Sequence, residues 1–256
     1  MHREIITIGA FKVHSYGFML CIAFILAILI TYRHLKKHFV DPYAVYDMII
    51  AALVGGILGA RIFYIIGNWS DFSGNIASIF KFWEMEGLVF YGGLLLGALA
   101  VIAVIRIKGL PLWIVGDAAG FSLALGLAVT RIGCFLNGCC FGKPSGLPWA
   151  ITFPRATQAF FGMPNRPLHP TQIYESLLDM AIFIFLVVIY KRLKYHGEIF
   201  FLFLALYGLA RFFVEFYRFH TNPHATLVFQ ILSLVLTAGA GVVLLFRRRL
   251  LPEVRP

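Results

Sequence analysis

Apolar residues fill this chain in long runs, and polar residues interrupt them at a few defined places. Seven runs stand out, at roughly Tyr16–Thr31, Tyr46–Ile66, Leu88–Ile105, Ile114–Thr130, Ile173–Tyr190, Ile199–Phe216 and Leu227–Phe246. A bilayer core takes about 20 apolar residues in helical form. The ten-residue alternation that marks membrane strands is not the pattern seen, so helices are the expected spanning elements. The reading is an all-α polytopic membrane protein with about seven transmembrane helices, residues 1–256 forming one transmembrane helical domain. Between the fourth and fifth runs lies a Pro/Gly-rich segment at about 133–172, with "GKPSGLPWAITFP" and "GMPNRPLHP". Its prolines forbid a long helix. It is expected to be external or re-entrant, and a loop of this length is more often functional than idle.

Composition agrees. Hydrophobic residues make up 60% of the chain and charged residues 13%, where soluble domains carry about a quarter charged. The mean hydropathy is +0.84. The formal net charge is +10, and its placement is informative. With seven spans and an outer N-terminus, the inner segments collect the basic runs "RHLKK", "KRLK" and "RRR", twelve basic residues against seven outside. Positive residues favour the cytoplasmic side, so the N-terminus is expected outside and the C-terminus in the cytoplasm. The charge suits anionic lipid headgroups. No nucleic-acid motif accompanies it. No cleavable signal peptide is evident, and Cys21, preceded by Leu20, reads as an apolar helix residue rather than an acylation site.

Ionisable residues inside a membrane are expensive and mark function. Arg61 follows "GGILGA", Arg131 follows "FSLALGLAVT", and Arg211 sits in "LFLALYGLARFFVEFYRF" with Glu215 four residues on and Arg218 three beyond that. Helical spacing puts these last three along one face. Glu175 opens the fifth run. Each could be a structural ion pair. Together, three intramembrane arginines outnumber their nearby acids, and the planar guanidinium fork suits phosphate oxygens. A phospholipid headgroup is the abundant phosphate in a membrane. Glycine clusters such as "LVGGILGAR" and "YGGLLLG" suit close helix packing or a close approach to a ligand.

The stretch "TRIGCFLNGCCFG", Thr130–Gly142, adds three cysteines spaced C-x4-C-C. Structural zinc wants four ligands, usually with C-x2-C pairs, and no second pair exists. A redox pair would prefer C-x-x-C. Cys134, Cys139 and Cys140 therefore read as small lining residues, with no metal expected.

These residues carry a family resemblance over nearly the whole chain. "HSYGFML", "GGILGARIFY", "EGLVFYGGLLLG", "RIGCFLNGCCFG", "LHPTQIYE" and "YGLARFFVEFYR" resemble, in order, the motifs of the bacterial prolipoprotein diacylglyceryl transferases. The resemblance implies seven transmembrane helices with an outer N-terminus in the bacterial cytoplasmic (inner) membrane. It implies transfer of a diacylglyceryl group from phosphatidylglycerol to the lipobox cysteine of a prolipoprotein signal peptide, giving a thioether and glycerol phosphate. No metal, nucleotide or other cofactor is implied, and the partners are phosphatidylglycerol, prolipoprotein signal peptides and membrane lipids.

The expected catalytic set is Arg131, Arg211, Tyr91, His14, Tyr16 and His169. The expected substrate-binding set is Arg131, Asn137, Gly142, Arg61, Glu215, Gly92, Gly93 and Glu175. The chain departs from the family pattern at Tyr91, where a histidine is usual, at Cys134 for an asparagine, at Cys139 for a glutamate, and at Thr130 for a glycine. The catalytic base is left open among Tyr91, His14 and His169, with Tyr16 as an orienting hydroxyl. A phospholipid-binding paralogue without transfer activity and an anion transporter are the competing classes.

Overall fold

The computed structural model describes residues 4–8, 11–72, 90–154, 166–222 and 224–251. Each of the seven apolar runs coincides with a helix along most of its length, Leu88 and Val89 of the third lying outside the described residues: α1 (Ser15–Lys37), α2 (Ala44–Gly67), α4 (Phe90–Ile107), α5 (Leu112–Asn137), α6 (Thr171–Ile189), α7 (Glu198–Glu215) and α8 (Ala225–Leu245). Two short helices, α3 (Trp69–Phe72) and α9 (Arg247–Leu250), complete the set. Five helices are long and apolar enough to cross a membrane: α1, α2, α5, α8, and α6 with its following turn. Of the other two, α4 is shorter, and α7 carries Glu198, Arg211 and Glu215. The protein is an all-α, multi-pass membrane protein. Ahead of α1 the chain adds an antiparallel pair that the apolar pattern did not announce, β1 (Glu4–Ile8) and β2 (Phe11–His14).

The chain packs as two compact units, Tyr32–Val115 and the remainder. Within Tyr32–Val115, α2 and α4 meet along a seam of glycines. A Cβ placed on Gly59 would lie 2.3 Å from the Gly92 carbonyl, and one on Gly92 would lie 2.5 Å from the Phe63 side chain. Gly93 faces Gly56 and Ala60 in the same way. In lipid, helices gain little from burying apolar surface, so close backbone approach supplies the packing. The Lys108 ammonium pairs with Asp47 across this helix pair.

The other unit holds α5, α6 and α7 around a core of Phe121, Ala124, Ile182, Leu186, Ile199 and Phe203. α7 also lies close against α8, where a Cβ on Gly208 would meet Thr237 Oγ1 at 2.4 Å. Two buried carboxylates tie down the chain around the start of α7. Asp117 on α5 accepts hydrogen bonds from Gly197 N (2.8 Å), Ile199 N (3.0 Å) and Phe200 N (3.3 Å) at the start of α7. Orphan N–H groups at a helix start need such acceptors, and a side-chain cap contributes about 1 kcal/mol. Glu198 accepts from Lys194 N and Tyr195 N and pairs with Arg247 at 2.8 Å. One arginine of the basic "RRR" run is thus held by protein rather than left to lipid.

Helix α5 runs past the expected end of its span. The sequence placed the boundary near Thr130, with irregular chain from Gly133. The helix instead continues to Asn137, so Arg131 and Cys134 are helical. Gly133 does not break it. Its missing Cβ lets α1 approach, with Met19 Cβ 2.9 Å from where that atom would stand. Beyond α5, residues 138–154 and 166–170 fold back on themselves. Leu168 bridges both Pro144 and Ile151, and Phe141, Phe153 and Leu168 form a small core of their own.

Candidate active site

The site is built on the end of α5, the start of α6 and the end of α7. Glu175 lies in the first turns of α6, only 5% exposed. Its Oε1 accepts from Arg211 Nη1 at 2.7 Å and from Arg218 Nη1 at 2.6 Å. Its Oε2 pairs with the Arg131 guanidinium. Three arginines from two other segments therefore share one buried carboxylate. Arg211 makes a second ion pair, Nη2 to Glu215 Oε2 at 3.0 Å. Glu215 is fully buried and also holds the His220 imidazole through Nε2. His220 stacks on Phe229, with ring centroids 5.2 Å apart.

The arrangement follows from local rules. Arg211 and Glu215 are four residues apart on α7, a spacing that faces them together. The expectation that Arg218 continues this face on the same helix is corrected. α7 ends at Glu215, its last turn tightened by Phe216 N donating to Phe213 O. Arg218 instead lies in extended chain bridged to Gly142. Gly142 is required at that crossing: a Cβ there would stand 2.4 Å from Tyr217 O and 2.7 Å from His169 Cβ.

The end of α5 closes in a Schellman arrangement. Cys139 N donates to Cys134 O (3.1 Å) and Gly138 N to Phe135 O (3.1 Å), with Gly138 left-handed at φ +77°. This motif brings the side chains of its first and last residues together, here Cys134 and Cys139. Cys140 follows at φ +65°. The start of α6 clamps the turn, Thr171 Oγ1 donating to Cys140 O (2.9 Å) and Gln172 Nε2 to Cys139 O (2.6 Å). Cys139, Cys140, Phe141, Arg218, Phe219, His220 and Thr221 line an open cavity of about 250 Å³.

Of the residues expected from sequence, Arg131, Arg211, Glu175 and Glu215 are brought into one network. Asn137 ends α5 beside the turn, and Gly142 follows it. Tyr16, the second residue of α1, lies within electrostatic reach of Arg131 and the three thiols. His169 bonds Tyr174 Oη (3.3 Å), which also accepts from Trp149 Nε1 (2.8 Å), and its ring lies against Tyr217. Partial burial pulls the basicity of His169 below the ordinary histidine value. His14 is exposed at the end of β2.

Arg61, Tyr91, Gly92 and Gly93 belong to the other compact unit. There the Arg61 guanidinium lies over the rings of Tyr64 and Phe72, at 5.8 and 5.6 Å. Tyr91 is exposed on α4, and the two glycines pack α4 on α2.

Two participants were missed. Arg218 was noted in sequence only as a neighbour on the α7 face, and His220 was not singled out. The "EFYRFH" run offers the signal, an acid followed within five residues by a second arginine and a histidine.

A family model for prolipoprotein diacylglyceryl transferases matches residues 3–247. The chain belongs to the prolipoprotein diacylglyceryl transferase family. A phosphatidylglycerol–prolipoprotein diacylglyceryl transferase of Nostoc is 30% identical, the match covering 98% of this chain and 92% of the relative. The enzyme of the same name from Trichormus variabilis is 31% identical over 98% and 92%. That from Clostridium tetani is 34% identical over 81% of each chain. The matched span includes the whole arginine–glutamate network, Arg131, Glu175, Arg211, Glu215 and Arg218.

Proposed function

We propose that this chain transfers the diacylglyceryl group of phosphatidylglycerol to the lipobox cysteine thiol of prolipoproteins, the first step of bacterial lipoprotein maturation. The supporting observation is the convergence of Arg131, Arg211 and Arg218 on Glu175 beside an open cavity. The relatives' names supply the two substrates. The enzyme works in the cytoplasmic membrane with seven spans and its N-terminus outside, so that the cavity opens on the outer side, where signal peptides are processed.

The chemistry needs a thiolate, because a thiol is a poor nucleophile, and compensation for a departing phosphate in a water-poor site. The three guanidinium groups hold the lipid phosphate and take up the charge that develops on it. Glu175 and Glu215 fix their orientation, since a flexible arginine must otherwise be ordered at the moment of reaction. His220 is the base best supported by geometry. With Nε2–H donating to Glu215, its Nδ1 keeps a lone pair for the substrate thiol proton. The thiolate then attacks the glyceryl carbon, a C–S bond forms, and the C–O bond to phosphate breaks with its electron pair leaving on glycerol phosphate.

The test uses membranes containing the protein, phosphatidylglycerol and a fluorescent lipobox peptide, read by mass spectrometry. Diacylglyceryl should appear on the peptide cysteine, not on a Cys→Ser peptide, and vanish in Arg131→Ala and Arg211→Ala. Undiminished transfer by both variants at normal protein levels would overturn the assignment. Phosphatidylglycerol binding by well-folded protein without any product would leave a phospholipid-binding paralogue.

A further inference from the structure

Three thiols meet at the C-terminus of α5. Cys134, Cys139 and Cys140 are free, and their sulfur atoms all lie within 4.8 Å of one another. The Cys139 and Cys140 sulfurs are 3.7 Å apart. A metal bound by three sulfurs at about 2.3 Å in a plane spaces those sulfurs about 4 Å apart. The turn already holds them near that spacing. The C-x4-C-C pattern argues against four-ligand zinc, and the same argument leaves a three-ligand site open. Soft thiolate ligands in a three-coordinate array select monovalent copper over zinc.

The cluster is built rather than incidental. Cys140 takes a left-handed backbone conformation at φ +65°, which costs a non-glycine residue energy and persists only where surroundings enforce it. Those surroundings are the Thr171 and Gln172 side chains gripping the carbonyls of Cys140 and Cys139. Gln172 is fully buried, and its Oε1 has no hydrogen-bond partner among the described residues. Cys139 and Cys140 line the 250 Å³ cavity, which gives an ion a route in.

We infer that Cys134, Cys139 and Cys140 form a three-coordinate thiolate site for a soft monovalent cation of the copper(I) class. Binding releases the thiol protons that remain and adds an occupant to the wall of the cavity that Arg218 and His220 also line. The inference stands on the thiol geometry and not on the transferase reading.

The experiment titrates purified full-length protein in detergent with buffered copper(I), anaerobically, and measures copper-edge X-ray absorption. One copper per chain with three sulfur neighbours is expected. Cys134→Ala, Cys139→Ala and Cys140→Ala should each weaken binding by about a hundredfold or more, since even outer-shell changes cost up to that. Cys21→Ala should leave it unchanged. In the wild-type protein, copper(I) should also protect Cys139 and Cys140, and not Cys21, from maleimide labelling, a readout that needs no variant to fold. No stoichiometric binding, two-sulfur coordination, tighter binding of zinc(II), or protection that includes Cys21 would each overturn the inference.

Discussion

Two helix contacts in this protein solve the same problem by opposite means. The α2–α4 seam of the Tyr32–Val115 unit is glycine-lined, with backbone against backbone. The α5–α6–α7 contact of the other unit is tied by Glu175, Glu215 and three arginines. The first depends on absent side chains and tolerates no added atom. The second depends on long charged ones, and its charges are far more expensive to keep than the packing they supply. Buried ion pairs are weak evidence for stability as such. Among the described residues the α5–α6–α7 contact keeps such pairs, which fits the proposal that it is the working one.

Removing Glu175 should break that contrast most. Glu175→Gln leaves three guanidinium groups without their shared counter-charge, a loss of about 3–5 kcal/mol for an uncompensated buried charge. Thermal unfolding in detergent should drop sharply and transfer should vanish. A melting temperature equal to wild type would mean the arginines find other partners.

Arg218→Ala should come next, abolishing transfer with a smaller loss of stability, because Glu175 keeps Arg131 and Arg211. Full activity in this variant would remove Arg218 from the site.

On the seam, Gly92→Ala should destabilise by about 1–3 kcal/mol as an overpacked contact. Gly126→Ala on α5, where an added Cβ meets nothing within 4 Å, should be neutral or stabilise by up to about 1 kcal/mol. Equal melting shifts for the pair would show that the seam yields.

The smallest effect belongs to His169. Its folded-state basicity is depressed by burial, so its contribution is present above about pH 6.5 and is lost as pH falls through its lower folded value. Acidification should therefore lower the wild-type melting temperature slightly more than that of His169→Gln. Parallel pH curves would assign the acid sensitivity to other groups.

The two contacts also differ in how far the sequence revealed them. Each apolar run formed a helix, because length and apolarity are local properties. Arg131, Arg211, Glu175 and Glu215 stood out because charge is costly inside such runs. That one carboxylate would serve three arginines was not legible, since Glu175 and Arg211 are 36 residues apart and only packing joins them. The end of α5 was misjudged because Gly133 looks like a breaker while serving as a contact for α1. His220 lay beyond the last apolar turn, where a histidine looks like ordinary loop.

The carboxylate of Asp117 has a consequence for how the chain is made. It sits on α5 and accepts the first N–H groups of α7, which are synthesised about 80 residues later. When α7 leaves the ribosome its acceptor is already in the bilayer, so the later helix docks onto a waiting partner. The dependence runs one way. A chain halted after α5 leaves the Asp117 carboxylate without the N–H donors that meet it in the complete protein.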